Sequence, residues 1–335
     1  MRSRLRVGLA GAGMVSAFHL PAWRALADQV ELVAVADPDI ERAQAAARQY
    51  GVPRAWRSLD DMLAGELLDA VDLMTPPHLH AEQCLAAAAA GVAVLCQKPL
   101  APSAGQARQL IGAVGSRVRL MVHENWRFRP HYRQVRRWLD EGRIGELRSA
   151  ELQTLSCGLL PDAEGRMPAL VRQPLLATLP RMMVAEVLVH HLDIVCWLAG
   201  PARVVQASLQ HAVSQISGES AATIVLACAG GARFEVGGDM AAARALPTLR
   251  DELALTGSLA SITLRGTRLH LSGDAPEASM VDLEADYADS YIGAIGHFVY
   301  ALRNDHPFEA TLEDHLDVLE LVDEAYRQAR MEGIE

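Results

Sequence analysis

A glycine-containing turn directly after the first apolar segment constrains the fold of this chain more than any other feature. Residues 5–10 are apolar apart from Arg6, and the glycine turn (residues 11–16) reads Gly-Ala-Gly-Met-Val-Ser before a helical segment begins. In such a strand–turn–helix unit, Gly11 permits the tight turn and Gly13 lets the backbone approach a pyrophosphate. The helix N-terminus adds N–H groups that favour phosphate. The turn therefore predicts a dinucleotide-binding site.

An acidic residue follows the turn at the spacing expected for a ribose contact. Asp37 comes at the end of the second predicted strand (residues 31–36), and its carboxylate is suited to accept hydrogen bonds from the adenosine ribose. A carboxylate repels a 2′-phosphate and no basic residue directly follows, so we expect NAD rather than NADP. Asp37 has an alternative role as N-cap of the helix near Ile40. Ser16 stands where the fingerprint usually has Gly or Ala, which weakens the match.

The first 122 residues alternate apolar segments with helical ones. Segments that are apolar throughout are typical of a parallel sheet with helices on both faces. The predicted strands are residues 5–10, 31–36, 70–74, 92–96 and 118–123, and the predicted helices are residues 17–27, 40–50, 80–90 and 103–115. We expect residues 1–122 to form an α/β dinucleotide-binding domain.

Beyond residue 122 the apolar pattern changes to a period of two, which indicates antiparallel strands with one covered face. Helices are predicted among these strands at residues 131–141, 184–198 and 287–303, and a terminal helix at 311–330. We expect residues 123–335 to form an α+β domain with an open sheet, which binds substrate and mediates oligomerisation. The terminal helix is expected to pack back toward the first domain.

Charge and cysteine content exclude several classes of partner. The formal net charge of −10 argues against nucleic acid and against an anionic membrane surface, because both require a basic face. The five cysteines are widely spaced and contain no CxxC motif, which fits a reducing compartment. The longest uncharged apolar run, residues 84–96, is too short to span a bilayer. We expect a cytoplasmic protein with a small-molecule partner.

Two short motifs carry candidate catalytic groups. Lys98 follows the predicted strand at residues 92–96, and ligands of open parallel sheets bind beyond the carboxyl ends of the strands. Glu186 and His190 are four residues apart in a predicted helix and would share one face. His191 and Asp193 are also metal-ligand types, but neighbouring helical residues point about 100° apart, so we expect no metal. Alternatively, Lys98 is merely solvated and His190 is a core histidine.

Together, several motifs resemble the glucose–fructose oxidoreductase, inositol dehydrogenase and MocA family (Gfo/Idh/MocA) over essentially the whole chain. The resemblance implies a Rossmann domain, a C-terminal domain with a large, open, mostly antiparallel sheet, a nicotinamide dinucleotide, and oxidation of a sugar or polyol hydroxyl or the reverse reduction. The motifs are the glycine turn with His19, Thr-Pro-Pro-His-Leu-His at 75–80, Cys-Gln-Lys-Pro-Leu at 96–100, Gly142 with Gly145-Glu146, and His-His-Leu-Asp at 190–193 with Trp197-Leu198.

The resemblance also implies roles for individual residues. The catalytic lysine of the family falls on Lys98, its acid/base histidine on His190, and its usual aspartate on Glu186. Two departures are Gln97, where the family usually has glutamate, and Leu188, where it commonly has glycine. Implied cofactor contacts are Gly11, Gly13, Met14, Val15, Asp37, Thr75, Pro76, His78, His80, Gln97 and Lys98, and implied substrate contacts are Asn125, Trp126, Arg127, Arg181 and His191.

Fewer residues bear on which substrate the protein oxidises. Segments 121–128 and 173–181, with Gln97, resemble the D-apiose dehydrogenase-like branch, which implies oxidation of an aldose at its anomeric carbon to a lactone. Arg127 and Arg181 either bind substrate hydroxyls or form internal salt bridges. Two other functions remain open, a non-catalytic NAD-binding sensor and a biosynthetic keto-sugar or imine reductase. An open sheet face also predicts a homodimer or homotetramer through the C-terminal sheet.

Overall fold

Six short strands form one parallel sheet in the N-terminal part of the chain. The computed structural model describes residues 4–332, so residues 1–3 and 333–335 of the two expected domains lie outside the described part. The strand order is β3-β2-β1-β4-β5-β6, and β4 and β5 are buried along their whole length because helices cover both sheet faces. The strands are β1 Leu5–Ala10, β2 Val30–Ala36, β3 Arg54–Trp56, β4 Ala70–Leu73, β5 Ala93–Gln97 and β6 Leu120–His123.

Helices connect these strands in the expected alternation. Four of them match the predicted helices, whereas β3 and the short helix α3 were not predicted. Both elements are short: β3 has three residues, at the edge of the sheet, and α3 has seven. Neither is long enough to show a recognisable apolar period. The helices are α1 Ser16–Ala25, α2 Ile40–Tyr50, α3 Leu59–Gly65, α4 His80–Ala89 and α5 Ala104–Val114.

A second sheet, with nine strands among the described residues, is built mostly from antiparallel pairs. Its order is β14-β13-β12-β11-β7-β10-β9-β8-β15, and only β7 with β10 and β8 with β15 pair in parallel. Alternate residues of β9 are buried and partly exposed, as the period-two pattern predicted. The strands are β7 Leu147–Leu155, β8 Ala202–Gln210, β9 Ala221–Cys228, β10 Arg233–Asp239, β11 Arg250–Gly257, β12 Ser261–Arg265, β13 Arg268–Leu271, β14 Glu277–Met280 and β15 Arg330–Glu332.

The helices after β6 include one departure from the predicted pattern. The segment predicted as a single α-helix over residues 184–198 begins as a π-helical turn, Met183–Leu188, and becomes α-helical only in α8. The helices are α6 Pro130–Asp140, α7 Pro168–Arg172, α8 Val189–Ala199, α9 Leu283–Asn304 and α10 Leu312–Gln328. No helix within residues 4–332 combines the length and the apolar character needed to cross a membrane.

The chain divides into two compact units that differ from the expected 1–122 and 123–335 division. The first unit runs to Arg129 and also contains Tyr287–Leu316; the second contains Pro130–Asp286 and the described residues from Asp317. Helix α9 belongs mainly to the first unit, because Ile295 and Phe298 are buried in the core around Trp23. Only the first turns of α10 join that unit. The C-terminal segment that belongs to the first unit is therefore chiefly α9.

Candidate active site

The glycine turn has the geometry that a dinucleotide requires. Gly11 adopts a φ of +97°, and a Cβ there would lie 2.7 Å from the carbonyl oxygen of Met74. The hydroxyl of Ser16 donates to the carbonyl oxygen of Gly13 at 2.6 Å. This hydrogen bond closes the turn and explains how a serine replaces the usual third small residue.

The surface of the turn is open where a phosphate would approach. A Cβ on Gly13 would meet no heavy atom of the described residues within 4 Å. Met14 is 47% exposed, and Val15, at the N-cap of α1, provides no side-chain cap for the first helical turn. Open backbone at an uncapped helix N-terminus fits the diphosphate of a dinucleotide.

Two alanine substitutions in this turn should therefore have opposite effects. Gly11→Ala should lower the free energy of unfolding by about 1–3 kcal/mol, because the left-handed backbone and the Met74 carbonyl both oppose a Cβ. Gly13→Ala should leave stability nearly unchanged but weaken NAD binding by about tenfold, or about 1.4 kcal/mol. Thermal unfolding and isothermal titration with NAD+ measure the two effects. Equal affinity of Gly13→Ala and the unsubstituted protein would contradict this assignment of the phosphate site.

Asp37 is bound to the glycine turn and does not cap the following helix. Its Oδ2 accepts a hydrogen bond from the Ala12 backbone N–H at 2.8 Å, and its Oδ1 accepts one from the N–H of Asp39 at 2.9 Å. The N-cap of α2 is Asp39, whose side chain accepts from the N–H groups of Glu41 and Arg42. The helix-cap interpretation of Asp37 is therefore wrong, and its half-buried carboxylate lies beside the turn, as the ribose interpretation requires.

A buried histidine links the loops that follow β4 and β5. His80 Nδ1 lies 2.9 Å from the carbonyl oxygen of Pro99, and Nε2 lies 2.8 Å from that of Thr75. Burial lowers the pKa of His80 below its usual value, although the backbone carbonyl groups act in the opposite direction. We predicted a cofactor contact for His80. The side chain is fully buried between two carbonyl groups and thereby links the two loops. Its cofactor contact stays a prediction, as do those of the exposed Pro76 and His78.

Lys98 follows β5 directly, and its chemistry is unusual for this chain. It is the only lysine in the sequence, against 30 arginines. A compact ammonium that rotates freely and can titrate differs from the planar guanidinium of arginine. The sequence analysis missed this compositional signal, which favours a role that arginine cannot fill. The side chain is half-buried, and its backbone N–H donates to Gln97 Oε1 at 2.7 Å.

The second unit carries His190 in α8 and Glu186 in the preceding π-helical turn. The four-residue spacing of these two residues crosses the junction at Val189 between the π-helical turn and α8, and their shared face stays a prediction. Glu186 Oε1 accepts a hydrogen bond from Gln173 Nε2 at 3.4 Å. Leu188, at the position of the common family glycine, is fully buried at the end of this turn.

The start of the π-helical turn is held by a residue that the sequence analysis did not identify. Glu219 is buried, and its carboxylate accepts from the N–H groups of Met182 at 3.3 Å and Val184 at 3.0 Å. The hydroxyl of Tyr326 donates to the same carboxylate, and burial raises the pKa of Tyr326. Glu219 and Tyr326 are 107 residues apart along the chain, so no local sequence pattern predicts their contact.

His191 is part of a buried polar cluster. Its Nε2 lies 3.0 Å from Asp251 Oδ1, and the Tyr132 hydroxyl donates to Asp251 Oδ2 at 3.1 Å. His191 is only 1% exposed, as is Asp193 two residues later in α8. These contacts place His191 in a buried hydrogen-bond cluster of the second unit, and its substrate contact stays a prediction.

The predicted substrate residues after β6 are engaged by their own unit. Arg127 is buried; its guanidinium donates to the Glu309 carbonyl oxygen at 2.6 Å and pairs with Asp314 at 3.2 Å. Asn125 donates to the Ser290 hydroxyl at 2.8 Å. The structure therefore shows the salt-bridge alternative for Arg127. Trp126 is also buried, with its ring edge against Tyr287.

Arg181 makes a comparable internal contact in the second unit. Its guanidinium pairs with Asp323 at 2.7 Å and lies 4.2 Å from the centre of the Tyr326 ring. The salt-bridge alternative is again the one observed. Both predicted substrate arginines are thus held in internal salt bridges, and the catalytic roles of Lys98 and His190 stay predictions.

Known proteins match the chain over both units. Residues 5–124 match the model of an oxidoreductase family with an NAD-binding Rossmann fold, and residues 132–263 match the Gfo/Idh/MocA C-terminal domain. A D-apiose dehydrogenase of Paraburkholderia graminis is 33% identical, over 98% of this chain and 88% of that protein. An inositol 2-dehydrogenase of Leifsonia xyli subsp. xyli is 32% identical over 58% of this chain and 54% of its own length.

A solved structure shares the fold. An oxidoreductase from Agrobacterium radiobacter, crystallised with NAD+, L-tartaric acid and magnesium, superposes with a TM-score of 0.90 at 24% identity, covering 97% of this chain and 96% of that one. The two family models together cover most of the chain, and one relative above 30% identity aligns with nearly all of it. This chain therefore belongs to the Gfo/Idh/MocA family of oxidoreductases, with NAD as the cofactor of its Rossmann domain.

Proposed function

We propose that this protein is a dehydrogenase that oxidises a sugar or polyol hydroxyl. The observation that carries the proposal is Lys98, the single lysine of the chain, at the end of β5 in an NAD-binding Rossmann domain. The full-length similarity to D-apiose dehydrogenase favours an aldose oxidised at its anomeric carbon, with a lactone as product. The names of the inositol dehydrogenase relatives support the broader substrate class.

The catalytic roles are assigned to three side chains. His190 takes the proton of the substrate hydroxyl as general base, since imidazole groups exchange protons near neutral pH. Lys98 donates a hydrogen bond to the same oxygen and stabilises its developing negative charge. Glu186 positions His190. Bound NAD+ supplies the acceptor for the hydride that leaves the substrate carbon, so that the C–O single bond becomes a carbonyl.

The cofactor contacts are assigned to the glycine turn and the loops beyond the strands. Gly11, Gly13, Met14 and Val15 would hold the diphosphate, and Asp37 would accept from the ribose hydroxyl groups. Thr75, Pro76 and His78 would line the nicotinamide end. The open backbone at Gly13 and the carboxylate of Asp37 beside the turn support this assignment.

We further propose that the protein is cytoplasmic and self-associates through its second sheet. No disulfide links the five cysteines, all of which lie within residues 4–332, and this fits a reducing compartment. On β9, Val225 and Ala227 lie on the partly exposed face, opposite the buried Ile224 and Leu226. A broad sheet face of this kind is suited to a homodimer or homotetramer.

A panel of aldoses and polyols, followed by NADH absorbance, tests the proposed function. NAD+ and NADP+ are run side by side, and keto-sugars with NADH test the reverse direction. We expect turnover with at least one aldose, including apiose, and a preference for NAD+ because Asp37 repels a 2′-phosphate. A protein that binds NAD+ but turns over no member of the panel is a sensor, and this result would overturn the proposal.

A further inference from the structure

A line of buried polar groups leads from β4 to the backbone of Lys98. Asp72 Oδ2 lies 2.7 Å from His19 Nδ1, and His19 Nε2 lies 2.9 Å from Gln97 Nε2. Gln97 Oε1 then accepts from the Lys98 backbone N–H at 2.7 Å. Asp72 and His19 are 0% exposed and Gln97 is 9% exposed, so solvent does not compete for these contacts. Within this line of groups, Gln97 is the member that bonds to Lys98.

The direction of each hydrogen bond follows from the backbone N–H of Lys98. This group can only donate, so the oxygen of the Gln97 amide must face it and the NH2 group must face His19. An NH2 group can only donate, which makes His19 Nε2 an acceptor without a proton. The single proton of a neutral imidazole is then on Nδ1, where it is donated to Asp72.

The surroundings of His19 agree with a neutral ring. The rings of His123 and Tyr291 lie 4.2 Å and 5.3 Å from it, and the indole N–H of Trp23 donates to the same Asp72 oxygen at 2.7 Å. Burial raises the pKa values of the Tyr291 hydroxyl and of the Cys96 thiol, so both stay neutral at physiological pH. Asp72 is therefore the one charged group in direct hydrogen-bond contact with His19.

We propose that Gln97 is a positioning residue for Lys98, and that its amide holds His19 as the neutral Nδ1–H tautomer. The amide joins the end of β5 to His19 and Asp72 and thereby limits the motion of the lysine backbone. A glutamate at this position, usual in the family, accepts at both oxygens. It would require a second proton on His19 Nε2 and convert the ring to an imidazolium between two carboxylates. The catalytic benefit of positioning Lys98 rests on the proposed function, whereas the tautomer of His19 does not.

Histidine NMR tests the tautomer without any substrate. In protein labelled with [15N]histidine, His19 is identified by the close contact of its Nδ1 proton with the Trp23 indole proton, since both are donated to Asp72 Oδ2. We expect one protonated nitrogen, Nδ1, at neutral pH, and two in Gln97→Glu. The matched control Gln106→Glu makes the same change at an exposed site in α5 and should leave His19 unaltered. A proton on Nε2 in the unsubstituted protein would overturn the proposed tautomer.

The single lysine permits a second measurement that also needs no activity. [15N]Lysine labels one backbone amide, that of Lys98, and its exchange with D2O reports the hydrogen bond to Gln97 Oε1. Gln97→Leu should speed this exchange about tenfold or more, whereas Gln97→Glu and Gln106→Glu should retain protection. Unchanged exchange in Gln97→Leu refutes the positioning role.

Turnover separates this inference from the proposed function. If the protein is a dehydrogenase, Gln97→Leu should lower kcat by about 10–10²-fold with little change in KM for NAD+, because the lysine is misplaced and the cofactor turn is intact. Full kcat in Gln97→Leu refutes positioning in an active enzyme. If no sugar is turned over, the proposed function fails, and the two NMR measurements still decide the tautomer and the backbone contact.

Discussion

Lys98→Ala lowers kcat for the physiological sugar by about 10²–10⁴-fold, while NAD+ affinity stays within a few-fold of the unsubstituted protein. The ammonium group is proposed to donate a hydrogen bond to the substrate oxygen as it gains negative charge, and this interaction is strongest in the transition state. The glycine turn and Asp37, which are assigned to the cofactor, are unaffected by the substitution. Steady-state kinetics and NAD+ titration measure the two quantities.

Two variants decide whether Lys98 contributes more than positive charge. Lys98→Arg keeps the charge but not the compact, rotating ammonium, so it should recover little of the lost kcat. Arg48→Lys, on the exposed face of α2, is the matched control for exchange of the two residue types and should be fully active. Near-normal turnover in Lys98→Ala would show that the proposed mechanism is wrong.

His190→Asn should reduce kcat by a comparable factor of about 10²–10⁴, because asparagine can form hydrogen bonds but cannot take the hydroxyl proton. The pH dependence gives a second readout. In the oxidation direction the base must be unprotonated, so activity of the unsubstituted protein falls as acid protonates His190. The variant should lack that step in its profile.

A second histidine in the same unit serves as control. His270 on β13 is partly exposed and has no proposed role, so His270→Asn should keep both the rate and the pH profile. If His190→Asn retained the acid limb of the unsubstituted protein, another group would be the base. Loss of kcat without loss of the limb would therefore assign His190 a structural role.

Predictions that rest on local patterns agree with the structure. The glycine turn lies between β1 and α1, α2 has the predicted bounds Ile40–Tyr50, and the open sheet shows the expected alternation in β9. Apolar periodicity and turn residues act over a few neighbouring residues, so one sequence contains all the information they need. Composition is a further signal that the sequence contains, because the single lysine marks Lys98 as a candidate catalytic group.

Predictions that depended on distant partners were less successful. Arg127 pairs with Asp314, 187 residues away, and Arg181 pairs with Asp323, 142 residues away, so the salt-bridge alternative is observed for both and their substrate contacts stay predictions. The shared face of Glu186 and His190 stays a prediction. The π-helical turn before Val189 was not predicted, and it is held by Glu219, 35 residues beyond Val184. No sequence periodicity connects Asp314, Asp323 or Glu219 to the residues that they bind.

The sequence by itself determined the α/β and α+β halves, the dinucleotide turn, the acidic residue beside it, and the family with its candidate lysine and histidine. Only the tertiary structure decided that α9 belongs with the first unit, that Asp37 accepts from the Ala12 N–H 25 residues away instead of capping α2, and that Gln97 joins Lys98 to His19 and Asp72. The physical reason is the separation of the partners. His19 lies 53 residues from Asp72 and 78 from Gln97, and burial requires each polar group to find a partner wherever the fold provides one.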